Sequence, residues 1–493
     1  MGRGVRVVLS WGFAALAVLP ISGSSAAQIM FERTYGDSLY EDARCVRQTR
    51  DGGYILAGYT SSYGAGESDW YFVRTDSTGK SLWSRTYGTD GTDRCYSVLE
   101  TANGNFVASG NMSPFLEYPS FWLLQMDSSG DTIWAKNHGQ IAGAGCVVRG
   151  TSDRGHITVV TSTAPGDLGW DLSLVKTDLA GEVLWREVYG DTTDTIAESG
   201  YDVVQTVDGG YMAVGVICGA NELSDVYLIK ANASGQMTWS KRYAGPGTDR
   251  ATSVVQTPDG GYLVAGWTSS FGAGDRDVYL IRTDSLGDSL WTRTYGGPLS
   301  DGGLSLDRTS DGAYVVAGWT ESYGAGSHDV LFFKVDSTGD VIWMRTYGGK
   351  ARDLANSVRQ TEDGGYILAG ETYSYGAGDC DVYLIKTNED GLTGMEEDHS
   401  TLNVRRSMSV LFEHRPDPFR RSTTISYSLP ATAHVILEVY DITGRLVETL
   451  VDQRQDPGVD EIRWDRKQNP SGIYFCRLKA GDSVQAEKMI LVD

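Results

Sequence analysis

Six aspartates occupy one recurring place in this chain: Asp69, Asp171, Asp225, Asp277, Asp329 and Asp381 each open an apolar, β-prone segment. Carboxylates repeated in this way could form a ring of metal ligands, or could accept hydrogen bonds from backbone N–H groups of the turn before them. The second reading asks less of the residues, and the series breaks at Ser120-Phe121-Trp122. The loop carboxylates leave room for calcium; no other cofactor is indicated. Paired carboxylates would also serve glycoside hydrolysis, yet nothing singles out two of them. His138, His156, His328, His399, His414 and His434 form no His-x-His or His-Glu-x-x-His set. There is no Gly-x-Ser-x-Gly elbow and no Walker loop. The Gly-Ala-Gly runs at 64–66, 272–274, 324–326 and 376–378 precede strands, whereas a phosphate cradle needs a helix. No Cys-x-x-Cys pair occurs among six cysteines. Cys45, Cys95 and Cys146 lie in related positions, which allows a disulfide after export but reads more economically as buried thiols.

The elements that would position such residues come from a repeat. Asp51-Gly-Gly-Tyr54 returns as Asn103-Gly-Asn-Phe106, Asp153-Arg-Gly-His156 and Asp208-Gly-Gly-Tyr211, then as Asp259-Gly-Gly-Tyr262, Asp311-Gly-Ala-Tyr314 and Asp363-Gly-Gly-Tyr366. The spacing is about 52 residues over seven copies, within the range of solenoids and propellers. The fifth copy shows four β-prone pieces, at 251–257, 261–268, 277–284 and 289–296, joined by Asp-Gly and Gly-Asp turns that indicate antiparallel hairpins. The seventh copy lacks the fourth piece. Phe31-Glu-Arg-Thr-Tyr-Gly36 stands alone ahead of the first copy and matches Trp83-Ser-Arg-Thr-Tyr-Gly88, with Phe31 in the place of Trp83. An N-terminal strand that completes the last copy closes a ring and leaves no open edge, a permutation that an elongated solenoid has no reason to adopt. The chain is therefore predicted to be all-β, with a seven-bladed β-propeller over 28–390 closed by its N-terminal strand. Trp83, Trp134, Trp185, Trp239, Trp291 and Trp343 each follow a turn glycine by four residues. Their equivalent placement marks them as packing anchors between blades rather than a sugar platform.

The Asp-x-x-Gly-x-x-x-Trp segments, such as Asp127 to Trp134, Asp284 to Trp291 and Asp336 to Trp343, resemble the tryptophan-docking repeats of pyrroloquinoline-quinone propellers and of related outer-membrane assembly propellers. The resemblance implies that the tryptophans lock blades together. No ring-stacking and calcium-binding set for the quinone maps onto this chain, so it implies architecture and not redox chemistry.

Residues 391–414 are polar and acidic and read as a linker. From 415 to 493 the repeat is absent, and six alternating segments (423–429, 434–441, 445–451, 460–465, 472–481 and 486–492) predict a small β-sandwich. Here Arg415-Pro-Asp-Pro-Phe-Arg-Arg421, Tyr440-Asp-Ile-Thr-Gly-Arg445, Ser471-Gly-Ile-Tyr474 and Lys488-Met-Ile-Leu-Val492 resemble the type A C-terminal sorting domains of the type IX secretion system. The immunoglobulin-like flagellar-hook-capping domains are similar. The opening departs from the family's usual Asn-Pro-Phe-Asn-Pro. The resemblance implies an immunoglobulin-like tail that engages the secretion machinery and carries the chain across an outer membrane, to be released or attached at the surface. A sandwich with no sorting role is the alternative.

Residues 1–27 agree with that address. Arg3 and Arg6 precede an apolar run from Val7 to Pro20, and Ser25 and Ala27 suit cleavage before Gln28, the pattern of a secretory signal peptide. The run is too short for a membrane anchor, and no other segment of the mature chain could span a bilayer. With 64 acidic against 42 basic residues and a net charge of −22, the chain lacks the basic footprint of a nucleic-acid binder. The departures from the repeat consensus are either drift in a tolerant loop or the better candidates for binding. Asn111 to Pro119, Thr163 to Trp170 and Cys218 to Ser224 all lie between the second and third strands of their copies, and Phe115, Tyr118 and Trp170 could anchor a ligand there. The expectation is a monomeric, secreted or surface-displayed, non-catalytic binding or scaffold protein with a protein or carbohydrate ligand. A polysaccharide hydrolase with funnel carboxylates and a structural or assembly protein of the cell envelope are the alternatives.

Overall fold

The computed structural model describes residues 28–114, 118–140, 147–162, 170–190, 197–218 and 223–393, and in the tail 412–415, 419–429, 433–441, 445–455, 458–467, 469–480 and 483–492. The expected signal segment 1–27, Phe115 and Cys146 lie outside the described residues. Those that are described form strands and turns, with no helix.

Up to residue 393 the chain folds into seven antiparallel sheets of four strands. The first contains Glu41–Gln48, Tyr54–Thr60, Asp69–Thr75 and Ser81–Tyr87, side by side in that order. Five more follow in register with the repeat, starting at Arg94, Val147, Ala197, Asp249 and Asp301. The seventh takes Asp353–Gln360, Tyr366–Thr372 and Asp381–Thr387 from its own copy and Phe31–Tyr35 as its fourth strand. Second and third strands are mostly apolar and are covered on both faces by neighbouring sheets: Tyr54–Thr60 and Asp69–Thr75 are buried at every position. Fourth strands such as Ser289–Tyr295 stay largely exposed.

One contact recurs between neighbouring sheets. The ring of each fourth-strand tryptophan lies on a turn glycine of the next sheet: Trp83 on Gly130, Trp134 on Gly181, Trp185 on Gly235, Trp239 on Gly287, Trp291 on Gly339 and Trp343 on Gly391. Gly287 has φ of 79°, a conformation glycine adopts without strain, and a Cβ there would sit 2.6 Å from the Trp239 ring. Except in the second sheet, where His138 stands in its place, a tyrosine four residues after the aromatic donates its hydroxyl to the same glycine's carbonyl, as Tyr295 does to Gly339 at 2.6 Å. Phe31 of the seventh sheet makes this contact with Gly79 of the first, and Tyr35 donates to the Gly79 carbonyl. Gly391 therefore lies inside the last turn, in which the Leu392 N–H donates to Asn388 Oδ1 at 2.8 Å.

First strands are joined by side-chain bonds one sheet apart. Ser253 accepts from the Leu306 N–H at 3.2 Å, Ser305 from Val358 at 3.1 Å, and Ser357 of the seventh sheet from Val46 of the first at 3.3 Å. Under the Asp-Gly-Gly turns a buried third-strand cation meets the turn aspartate: Arg74–Asp51 at 2.5 Å, Lys176–Asp153 at 3.0 Å, Lys230–Asp208 at 2.9 Å, Arg282–Asp259 at 2.6 Å and Lys334–Asp311 at 2.7 Å. In the second sheet both partners are neutral, Asn103 and Gln125.

The tail forms a three-stranded sheet (Phe412–Arg415, Ser422–Leu429, Gly458–Asp465) and a four-stranded one (Leu446–Gln455, Ala433–Asp441, Gly472–Ala480, Ser483–Leu491). They share a core in which Ile425, Tyr427 and Trp464 meet Val435, Leu437, Tyr474 and Leu478. Every second residue of Gly472–Ala480 is buried in its later part, the alternation of a sheet with one wet face.

Two outcomes follow from this packing. Trp343→Ala, which removes a ring only 6% exposed, costs about 3–5 kcal/mol in denaturant unfolding, whereas Leu290→Ala at an exposed position leaves the midpoint nearly unchanged. The Thr257 hydroxyl and the Arg282 guanidinium hold Asp259 at about 2, below its ordinary 3.8. Its contribution is thus present above the ordinary value and lost as pH falls toward 2. The thermal-midpoint gap between wild type and Asp259→Asn narrows over that acid interval.

Candidate functional site

The repeated aspartates are absorbed by the scaffold. Asp329 Oδ2 accepts from the N–H groups of Ala325 and Gly326, both at 2.9 Å, and Asp381 makes the same bonds to Ala377 and Gly378 at 2.9 and 3.0 Å. A second carboxylate, at or near the start of the next sheet's first strand, faces each across a glycine: Asp301 meets Asp277 at Gly296, and Asp353 meets Asp329 at Gly348. Asp353 Oδ2 takes the Gly349 N–H at 2.8 Å and the Ser374 hydroxyl at 2.6 Å. Burial pushes Asp329 up, its two backbone N–H bonds oppose this, and Asp353 adds to the rise. These carboxylates tie turns together, and no group of three or more potential metal ligands occurs among the described residues.

A different cluster stands where the first strands come together, at the end that carries the loops between second and third strands. Its aromatics are the penultimate residues of second strands: Tyr59, Trp267 and Trp319, with Glu371 at the same register in the seventh sheet. A β-bulge in each facing first strand, as between Ala43 and Cys45, expels one residue from the ladder. Arg44 and Thr252 occupy that position. Tyr40 stacks on Tyr59 with centroids 5.7 Å apart and meets Tyr373 edge-on at 6.3 Å. Arginines lie over the rings: Arg94 at 5.1 Å and Arg44 at 5.6 Å from Tyr59, Arg276 at 4.6 Å from Trp267, and Arg250 at 4.1 Å from Tyr201. His328 packs on Trp319 at 5.2 Å and reaches Glu321 at 2.9 Å.

Behind this rim two carboxylates from the first and seventh sheets are buried, Asp42 and Glu371. Asp42 pairs with Arg44 at 2.6 Å and accepts from Asn356 Nδ2 at 2.8 Å. Glu371 pairs with Arg352 at 3.1 Å and accepts the Tyr40 hydroxyl. Burial raises the Asp42 carboxyl well above the usual range; Arg44 opposes this and Glu371 reinforces it. At the rim the guanidiniums of Arg94 and Arg276 are exposed while these acids are enclosed, so both cations are accessible to a ligand there.

Of the residues singled out from the sequence, Tyr118 is 77% and Trp170 52% exposed. The Trp170 carbonyl accepts from the Glu198 N–H at 2.6 Å. Phe31 and the six repeat tryptophans line the joints between sheets and stand away from this cluster. Sequence reasoning passed over Tyr59, Trp267 and Trp319. Their signal was an aromatic between a strand glycine and the threonine that ends the strand (Gly-Tyr-Thr, Gly-Trp-Thr), which reads as ordinary core. His138 and His156 are packed variants of repeat aromatics: His138 lies 5.3 Å from Phe121, and burial lowers both imidazoles.

Because the Asp42 carboxyl is raised in the folded state, its ionisation weakens the fold as pH rises. The thermal midpoint of Asp42→Asn relative to wild type shifts in the variant's favour between about pH 4 and pH 7, read by scanning calorimetry.

Comparison with known proteins bears on both parts of the chain. The regulatory protein FlaEY of Caulobacter vibrioides is 29% identical over 114 residues, which cover 20% of this chain and 12% of that protein. Hydrazine synthase of Kuenenia stuttgartiensis superposes with a TM-score of 0.48 at 12% identity, covering 71% of this chain and 96% of the other. The periplasmic gluconolactonase PpgL of Pseudomonas aeruginosa gives 0.42 at 11% identity, covering 83% and 98%. Residues 415–492 match the family of secretion system C-terminal sorting domains. The tail therefore belongs to that family, and the chain is a protein addressed through the type IX system for secretion or attachment at the cell surface.

Proposed function

We propose that the seven sheets are the blades of a closed β-propeller, that the tail is an immunoglobulin-like sandwich after a linker, and that residues 1–27 are a signal peptide removed on export. On this reading the propeller is an extracellular binding module. Its ligand is an acidic polysaccharide held at the axial mouth by Tyr59, Trp267, Trp319 and the arginines around them. The observation that carries it is the bracing of Arg94, Arg276 and Arg250 against aromatic faces. A guanidinium stacked on a ring keeps its N–H edge free for a carboxylate or sulfate and loses little freedom on binding. Sugar rings need flat apolar surfaces beside such donors, and the same mouth supplies them. Tyr118 and Trp170 would extend the contact on the loop face.

The test is titration of the mature chain, residues 28–493, with oligogalacturonates and with neutral oligosaccharides of equal length, followed by tryptophan fluorescence and calorimetry. The acidic series binds. Arg276→Gln and Trp319→Ala each weaken it about tenfold, as expected for loss of one interaction near 1.4 kcal/mol, and binding falls with added salt. Equal binding of both series by wild type and variants would sink the reading.

One observation favours a second reading. Asp42 and Glu371 are buried carboxylates, and Glu371 adds to the raised proton affinity of Asp42; hydrolysis of a glycosidic bond uses two carboxylates of unlike proton affinity. A hydrolase would release new reducing ends from the bound polymer and lose this in Asp42→Asn and Glu371→Gln while still binding. A binding module releases none.

A further inference from the structure

Deeper along the same axis, one register position of the first strands carries a second set of arginines. Arg47 pairs with Ile55, Arg149 with Ile157 and Arg359 with Ile367, the equivalent ladder position in the first, third and seventh sheets. The sixth sheet places Asp307 there, opposite Val315, and the other three place apolar residues. The cations are thus confined to part of the ring rather than spread by the repeat.

Their partners do not account for them. Arg149 is held by Asp202 at 2.7 Å, and Asp202 is further occupied by the Ser253 hydroxyl at 3.1 Å and the Val254 N–H at 3.2 Å. Asp307 accepts from the Gln360 N–H at 2.9 Å. Arg47 donates to its neighbour's carbonyl, Val46, at 2.9 Å; Arg359 donates to Val358 at 2.5 Å and more weakly to Ser305 and Leu306. Neither forms an ion pair with a carboxylate among the described residues. Each guanidinium has five N–H donors in a planar fork, so most of theirs remain for a ligand. Three cations face two acids in a partly buried setting, where like charges repel strongly.

We propose that Arg47, Arg149 and Arg359 form an axial site for an oxyanion, a phosphate, sulfate or carboxylate group gripped by two guanidinium forks. Such pairs are bidentate and charge-assisted, and one bound anion would balance the excess positive charge. Neighbouring groups register the same field. Burial, then Arg359, draw the Arg47 guanidinium down to about 9. Cys45, which burial alone would raise, is held below its ordinary value by Arg47, the Val98 carbonyl contact, Arg359 and Arg149. The site rests on the closed-propeller reading for its placement on an axis; it does not depend on polysaccharide binding at the mouth. The anion is either a free inorganic ion or the acidic group of a larger ligand.

Calorimetry on the mature chain with inorganic phosphate at constant ionic strength, and separately with glucuronate oligosaccharides, tests this. With a free ion, phosphate binds at one site per chain and weakens at least about tenfold in Arg47→Gln and Arg359→Gln, while Arg463→Gln on the exposed surface of the tail leaves it intact. With a larger ligand, phosphate fails but the glucuronate series weakens in both axial variants. Unchanged affinity for both probes in folded axial variants, or no binding of either probe to wild type, overturns the site. Should both variants fail to fold, the wild-type thermal midpoint decides: a saturable rise in phosphate over chloride at matched ionic strength supports the site, and no rise overturns it.

Discussion

An indole packed against a glycine of the neighbouring sheet is the interaction on which this architecture depends. A four-stranded sheet whose middle strands are apolar on both faces cannot be stable alone, because each face needs cover. The aromatic of the fourth strand reaches across to the next sheet's turn, and the tyrosine four residues later hydrogen-bonds the carbonyl of the glycine it covers. A side chain at that glycine would have to occupy the volume of the ring. The contact therefore sets the distance and tilt between sheets, and repeating it sets the period. Phe31 on Gly79 is the same contact between the last sheet and the first.

That constraint decides where charge can go. Aspartates at sheet junctions serve as acceptors for the N–H groups of glycine-rich turns, and turn aspartates hold lysines or arginines that would otherwise be buried unpaired. An acidic chain thus spends many of its carboxylates on its own backbone. Where the first strands converge, bulges turn single residues out of the ladder, and several of these and their neighbours are arginines. Arg94 and Arg276 are exposed at the rim, and Arg47 and Arg359 deeper in have no carboxylate partner among the described residues, which is why both places are read as sites for anionic groups.

Much of the architecture was legible because local rules repeat. Alternation and Asp-Gly turns located the strands, and a stray Phe-Glu-Arg-Thr-Tyr-Gly segment pointed to the fourth strand that the last copy lacks. The motifs at Tyr440–Arg445 and Lys488–Val492 pointed to the sorting tail. The aspartate series was read as backbone acceptors, and the hydrogen bonds of Asp329 and Asp381 are of that kind. The aromatic rim was not legible. Trp267 and Trp319 differ from core residues only in lying one step from the strand end, and sequence cannot say that this step is open to the axis. The Asp42–Glu371 pair was hidden for another reason: its members are more than 300 residues apart and meet because the last sheet lies beside the first. The loops around Phe115 drew attention by departing from a pattern, a signal of variation rather than of chemistry.

By itself the sequence determined the strands, their turns, the spacing of the docking aromatics and the export address, since each is written in residues close together in the chain. Tertiary structure alone decided which side chains of different copies share a space: Tyr59 with Arg94, Asp42 with Glu371, and Arg47 with Arg359. Those meetings depend on register, on a one-residue bulge and on the adjacency of the two ends of the repeat array. None of these is a local property, because equivalent positions in a repeat look alike until neighbouring sheets are packed and made to face one another.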